Sequence, residues 1–286
     1  MSNKPDFKEL YKNHNKLYPS PFDKRDYKFN QLVPVGAITI PDNFESPTTP
    51  FVYSQGETNM CCSCSYNLIR FMQEQDQSQI DDKFSVAFNY ANRPAGEDFE
   101  GMYIRSCVSK GKEGSVPWDD FPGYYTYARC RKILNDKKST LMKKAKPFAI
   151  SSYYQCSNRE SVQAAIISTK AVLGGIYVFN SFYHPDENNC IPYDPKTDLK
   201  NYGGHAIVIC GWKTDSNGKL WWRVQNSWGE EYGDKGRVWV PESYPWLESP
   251  WAIVDEVFEL SWEDYKKKYS ASNKKPGFFD KFFFKK

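Results

Sequence analysis

Histidine is scarce in this sequence. His14, His184 and His205 are the only three among 286 residues, so chemistry that needs an imidazole has few places to be. Long apolar runs are missing too: nothing approaches the roughly 18 consecutive apolar residues of a membrane-spanning helix. The first sixteen residues, MSNKPDFKELYKNHNK, hold no apolar stretch of the kind a secretory leader carries. Neither sign of charge dominates. The formal net charge is +3, and a chain so balanced lacks the broad basic footprint of a nucleic-acid binder, so no nucleic acid is expected as a partner. Zinc sites want ligand pairs at turn spacing. Beyond Cys61, Cys62 and Cys64 the cysteines stand singly at 107, 130, 156, 190 and 210, so no metal and no cofactor are expected. With no export signal ahead of them, most of these cysteines read as free thiols of a reducing, cytoplasmic setting.

What is present fits a folded protein of one large domain or two lobes. Aromatic residues make up 17% and charged residues 26%. Residues 1–50 carry prolines at 5, 19, 21, 34, 41, 47 and 50 with little periodicity, and read as an extended arm over the domain that follows. Val33 to Ile40 supplies β-branched residues for a short edge strand. A long arm of this kind is commonly functional or removable, and a cleavable inhibitory segment is one reading of it. From Cys61 to about Gln75, Cys64, Leu68, Phe71 and Met72 recur at helical spacing,, with Asn59 placed as an N-cap. Met102 to Val108, Ala128 to Lys146 and Ser161 to Lys170 read as further helices. Val172 to Phe179, Ala206 to Trp212, Leu220 to Val224 and Arg237 to Val240 read as strands. Helices first and strands second imply an α+β protein of two lobes.

The stretch Gln55 to Met72, QGETNMCCSCSYNLIRFM, places thiols at the start of the first confident helix. There the unpaired N–H groups and the positive end of the helix dipole favour a thiolate. The base lies 144 residues after Cys61, at His205. Asp215-Ser216-Asn217-Gly218 is a strong turn signal between two apolar strands. Reflecting position 205 across it lands on 228, and Asn226 has the same parity, so His205 and Asn226 meet on one face. Trp228 is placed to shield their contact from water. The other two histidines sit in the polar arm and in a Pro/Asp/Asn loop. A thiol, an imidazole and an amide that orients it make a nucleophile, its base and the base's orienter.

Taken together, Gln55-Gly56 six and five residues before Cys61, Gly204-His205-Ala206, and Asn226-Ser227-Trp228-Gly229 with Gly233 and Gly236 resemble the papain-like cysteine peptidases. Their bacterial and viral branch is the most similar in its nucleophile block, in Arg25-Asp26-Tyr27 and in the segment from Gly96 to Met102. The resemblance runs from about Asp23 to Leu260. It implies a two-lobe fold with a helical N-terminal lobe, an antiparallel β-barrel-like C-terminal lobe, and an active site in the cleft between them. It divides the chain into an arm (1–50), a peptidase domain (51–262) and a tail (263–286). It also implies roles: Cys61 the nucleophile, His205 the base and acid, Asn226 the orienter, and Gln55 an oxyanion donor beside the Cys61 N–H. Gly101, Met102 and Gly204 would line the substrate site, and the resting pair would be thiolate and imidazolium. The expected reaction is endopeptidase hydrolysis of peptides or proteins through an acyl-enzyme. A thiol amidase, an acyl transferase, or a non-catalytic component of a larger assembly such as a viral particle are the alternatives, the last making a virion-associated location an option. Asn59-Met60 stands where the family has Gly-Ser, which is expected to put bulk beside the cleft.

The tail departs from the rest. From Glu263 to Lys286 eight lysines face three acids, and the chain's +3 less this segment's +5 leaves about −2 elsewhere. Five phenylalanines lie between positions 278 and 284. Exposed apolar clusters tend to find partners, so docking to a larger assembly or an anionic surface is expected of it.

Overall fold

A computed structural model describes residues 5–34, 36–78 and 83–255; the basic, phenylalanine-rich tail lies outside these. In chain order the elements are α1 (Phe7–Tyr11), β1 (Leu17–Tyr18), α2 (Phe29–Leu32), β2 (Phe44–Glu45), α3 (Cys61–Ser78), α4 (Val86–Ala91), β3 (Met102–Tyr103), α5 (Ile104–Lys110), α6 (Tyr127–Ala145), β4 (Ser152–Gln155), α7 (Arg159–Thr169), β5 (Val172–Tyr177), α8 (Asn180–Tyr183), β6 (Gly204–Thr214), β7 (Leu220–Gln225), β8 (Arg237–Pro241) and β9 (Trp246–Val254). The strands form one sheet in the order β3-β1-β6-β5-β9-β4, with β2 and β7 also on β6 and β8 on β7.

β6 is the axis of the fold because its side chains alternate between two cores. Ala206, Val208 and Cys210 face a cluster with α3, α4, α5 and α6. Ile207 and Ile209 face a second cluster with α7, α8, Val224 and Trp228, which Trp212 joins beyond the bulge at Cys210. That period of two is what a strand buried on both faces requires. His205 shares the parity of the second set and abuts Phe182 and Trp228.

α3 is buried from Cys61 through Glu74, so its polar residues must be satisfied internally. Arg70 pairs with Glu74 at 2.6 Å and with Asp255 at 2.9 Å. Gln73 donates to the carbonyls of Thr169 and Ile253. These bonds join the helix to the sheet, which fixes the nucleophile's helix relative to the strand that carries the histidine.

Two local expectations are corrected, and one strand that the sequence reading left out is explained. Among the described residues of Val33 to Ile40 there is no strand: Pro34 lacks the N–H a ladder needs, and Gly36 takes φ +80°. The arm's strands are instead β1 and β2. Met102 to Val108 does not begin as helix, because Tyr103 is extended (φ −92°, ψ 141°) and pairs with Tyr18; the helix starts at Ile104. β9 has no period-two pattern, since Pro250 interrupts it and its register with β5 shifts twice near Gly175.

Candidate active site

The histidine is placed by a hairpin. β6 and β7 pair from Thr214↔Leu220 to Gly211↔Arg223, slip by one residue, and continue to Val208↔Gln225. His205 Nε2 lies 2.7 Å from Asn226 Oδ1. Asn226 is itself held, its N–H donating to Gly236 O at 2.8 Å and its Oδ1 accepting from the Ser227 N–H at 2.8 Å. His205 Nδ1 is buried without a hydrogen-bond partner, so one ring nitrogen remains for proton transfer. Trp228 lies 5.0 Å from the imidazole, ring centre to ring centre.

The nucleophile is placed by α3. Cys61 opens the helix, and its thiol lies against the backbone of Ala206 and the N–H groups of Cys61 and Cys62. One turn on, Ser65 Oγ donates to Ala206 O at 3.1 Å and ties the same turn to the residue after His205. Cys62 and Cys64 are buried in the helical core. Met60 does not crowd the cleft: it is buried in that core, where its sulfur accepts from the Tyr125 N–H. Asn59 does not cap the helix, since its Oδ1 is buried and unpartnered.

Gln55 sits between the two walls. Its N–H donates to Ser227 O at 2.9 Å and its Oε1 accepts from Ser227 Oγ at 2.8 Å. The amide is thereby oriented with Nε2 toward Thr58 O (2.8 Å) and the arm's His14 O (3.4 Å). Ser227 thus holds both Gln55 and Asn226. Only its place in the Asn-Ser-Trp-Gly block pointed to it.

The cleft is covered by the arm. Lys16 O accepts from the Met102 N–H at 3.2 Å, and Leu17 pairs with Met102 in parallel and with Gly204 antiparallel. A Cβ added at Gly101 would collide with Lys16 O, and one at Gly204 with Leu17 O. Both positions need glycine because another backbone runs between them. Gly101, Met102 and Gly204, expected to contact substrate, therefore flank an extended chain. Upstream, Tyr11 stacks on Trp228 with ring centres 4.7 Å apart, and Asn15 Nδ2 donates to Tyr183 at 2.8 Å. Downstream, Ser20 donates from N and Oγ to Glu248, while Asp23 and Asp26 pair with Arg105. This last pair of contacts gives the Arg25-Asp26 element its place; Arg25 itself pairs with Asp23.

Under this cover Cys61 is 1% exposed and His205 0%. Burial pushes the Cys61 thiol up to about 11. It pushes the His205 imidazole down to about 4, against the opposing pull of Asn226. The expected thiolate–imidazolium pair is therefore absent from this conformation. Desolvation penalises both charges, and the pair is neutral.

A helix-borne thiol, a hairpin-borne imidazole with its amide, and a buried glutamine bonded to Ser227 define a thiol-nucleophile site in a two-lobe fold. Comparison with known families agrees. The papain family cysteine protease model matches residues 72–244, and the chain belongs to that family. The matched span contains His205 and Asn226 and begins beyond Cys61. A gut-specific cysteine proteinase of Caenorhabditis elegans is 38% identical over 142 residues, which cover 49% of this chain and 40% of that protein. A cathepsin B-like cysteine proteinase of the same nematode is 33% identical over 125 residues, covering 43% and 36%. The chain thus spans about two fifths of these curated relatives. The fold is shared with xylellain, a cysteine protease from Xylella fastidiosa, at a TM-score of 0.71 and 19% identity over 87% of this chain and 98% of that one. It is also shared with procathepsin B S9 from Trypanosoma congolense, at 0.66 and 15% over 87% and 88%.

Proposed function

We propose that the chain is a cysteine endopeptidase held covered by its own N-terminal arm. The observation that carries this reading is the 2.7 Å His205–Asn226 contact with Nδ1 left unpartnered, beside a thiol seated on the Ala206 backbone. When residues 14–18 leave the cleft, water returns and the penalty on both charges falls. The thiol proton passes to His205 Nδ1, and Asn226 Oδ1 holds Nε2–H and so the ring's orientation. The Cys61 thiolate attacks a peptide carbonyl, and the oxyanion receives hydrogen bonds from the Cys61 N–H and Gln55 Nε2. His205 then returns the proton to the departing amine, and water hydrolyses the acyl-enzyme.

Substrates are peptides or proteins. Within the family we place the chain in the bacterial and viral branch on its nucleophile block, Arg25-Asp26 and the Gly96 to Met102 segment. The curated relatives named above are nematode proteins, so this finer placement rests on those residues alone. The tail is read as a docking segment for an assembly or anionic surface. Its removal should change sedimentation or liposome binding; no change in either would refute that role.

The test of the mechanism is labelling by an epoxide or iodoacetamide at pH 6, with peptide hydrolysis measured in parallel. Cys61→Ala should abolish both, a loss of at least about a thousandfold in rate, while Cys62→Ala retains them. Hydrolysis that survives Cys61→Ala overturns the assignment.

A further inference from the structure

Arg93 is 2% exposed, yet its hydrogen bonds run to backbone carbonyls. Nε donates to Tyr90 O at 2.9 Å. Nη1 donates to Gly101 O at 2.6 Å and Phe99 O at 3.0 Å, and reaches Glu97 O at 3.5 Å. The guanidinium sits in the corner of two rings set edge-on to each other, 4.3 Å from the centre of Tyr90 and 4.1 Å from that of Tyr127. Those tyrosines grip the same loop. The Gly101 N–H donates to Tyr90 OH at 2.8 Å, and the Tyr127 N–H and OH bond Glu100 and Asp98.

The consequence lies in one peptide unit. In a trans peptide the C=O and the following N–H point in opposite directions. Arg93 fixes the Gly101 carbonyl on the side away from the cleft, so the Met102 N–H of the same unit points into it. That N–H is the donor that receives Lys16 O. β3 is two residues long and, among the described residues, pairs only with β1, so no ladder of its own would hold this direction. A planar cation offers several donors at fixed angles while its faces stack on aromatic rings, which suits it to hold three carbonyls of one turn.

We propose that Arg93 is a positioning residue for peptide binding: by clamping Gly101 O it aims the Met102 N–H at the backbone of an extended substrate. The proposal rests on the peptidase reading, and its test separates the two. In the full chain, kcat/KM is measured for a peptide long enough to run past Met102 and for a short amide with a single acyl residue. Displacement of the arm multiplies both rates equally and cancels in their ratio. Arg93→Lys, which gives up the Nε bond to Tyr90 O and the planar face over the tyrosine rings that together hold the head group at this turn, should lower the long-to-short ratio about fivefold, the worth of one backbone hydrogen bond. Tyr90→Phe, which removes only the hydroxyl holding the Gly101 N–H, should lower it less, and it serves if Arg93→Lys does not fold. A second readout needs no catalysis: amide exchange at Met102 should accelerate in Arg93→Lys while exchange along β6 stays as in the parent. An unchanged ratio, or unchanged protection at Met102, overturns the role of Arg93. Hydrolysis independent of Cys61 overturns the peptidase reading and leaves the exchange result to decide on Arg93.

Discussion

The two walls of the cleft are built on different principles. On one side Gly204 opens an eleven-residue strand bonded to β1, β5, β7 and β2. On the other, β3 is two residues long, and the loop before it hangs from Arg93, Tyr90 and Tyr127. The first wall is rigid because its hydrogen bonds belong to the sheet. The second is as rigid as three side chains make it. A substitution on the β6 wall therefore acts on an unyielding backbone, while one on the β3 wall acts on a support that can give.

The largest effect that sharpens this contrast is at Gly204. Gly204→Val puts a branched side chain against Leu17 O, where even a Cβ collides and β6 cannot move aside. Extended peptides should lose at least about a hundredfold in kcat/KM, on the scale of a misplaced substrate, and the displaced arm should leave Cys61 labelled faster by iodoacetamide. Labelling as slow as in the parent would mean that the arm does not depend on the Gly204 wall. Next comes Tyr11→Ala, which removes a ring stacked 4.7 Å from Trp228. An aromatic pair contributes about 1 kcal/mol beyond its buried area, so Cys61 labelling should rise roughly five- to tenfold. No rise would show that residues 14–18 hold the cover without the stacking contact.

The smallest effect is one of pH. On uncovering, the proton that leaves the Cys61 thiol is held by His205, so this pair binds one proton in either state and adds little pH dependence between about 5 and 7,. Glu248 is raised to about 7 by burial, so the covered state binds more protons between about 4.5 and 7, and acid favours covering. Cys61 labelling in the parent should therefore fall a few-fold between pH 7 and 5 once the reagent's own pH dependence is removed. Glu248→Gln takes this dependence away and should flatten the profile. A parent and variant with the same profile would show that Glu248 stays protonated, or stays covered, throughout.

How much of this was legible depends on how local each signal was. The His205–Asn226 contact could be read because Asp215 to Gly218 marks a turn and strand parity does the rest. The hairpin in fact turns about Asn217, half a residue later than that reflection assumes, and the one-residue slip between Ile209 and Gly211 restores the register in which 205 falls opposite 228. Glycines 101 and 204 could be marked as substrate contacts only through resemblance, and their physical reason appeared only with another backbone between them. The arm's path was not legible. Leu17 and Tyr18 form too short a strand to show a period, and their partners lie some 85 and 187 residues away. Arg93 gave no signal because a buried arginine bonded to carbonyls looks, in one dimension, like any loop arginine. The neutral thiol and imidazole were missed for a related reason: a helix dipole can be inferred from sequence, but desolvation requires knowing what lies on top.

Because β1 joins β3 to β6, the sheet is continuous across the cleft only while a chain lies in it. Whatever replaces the arm has to complete the sheet as a guest strand, backbone first, before any side chain is read. Such pairing by strand addition asks for an extended segment with free N–H and C=O groups. A target segment already paired within its own fold would be refused whatever its side chains. The protein would then sample its targets by their local unfolding, and cut where a stretch of chain has come loose.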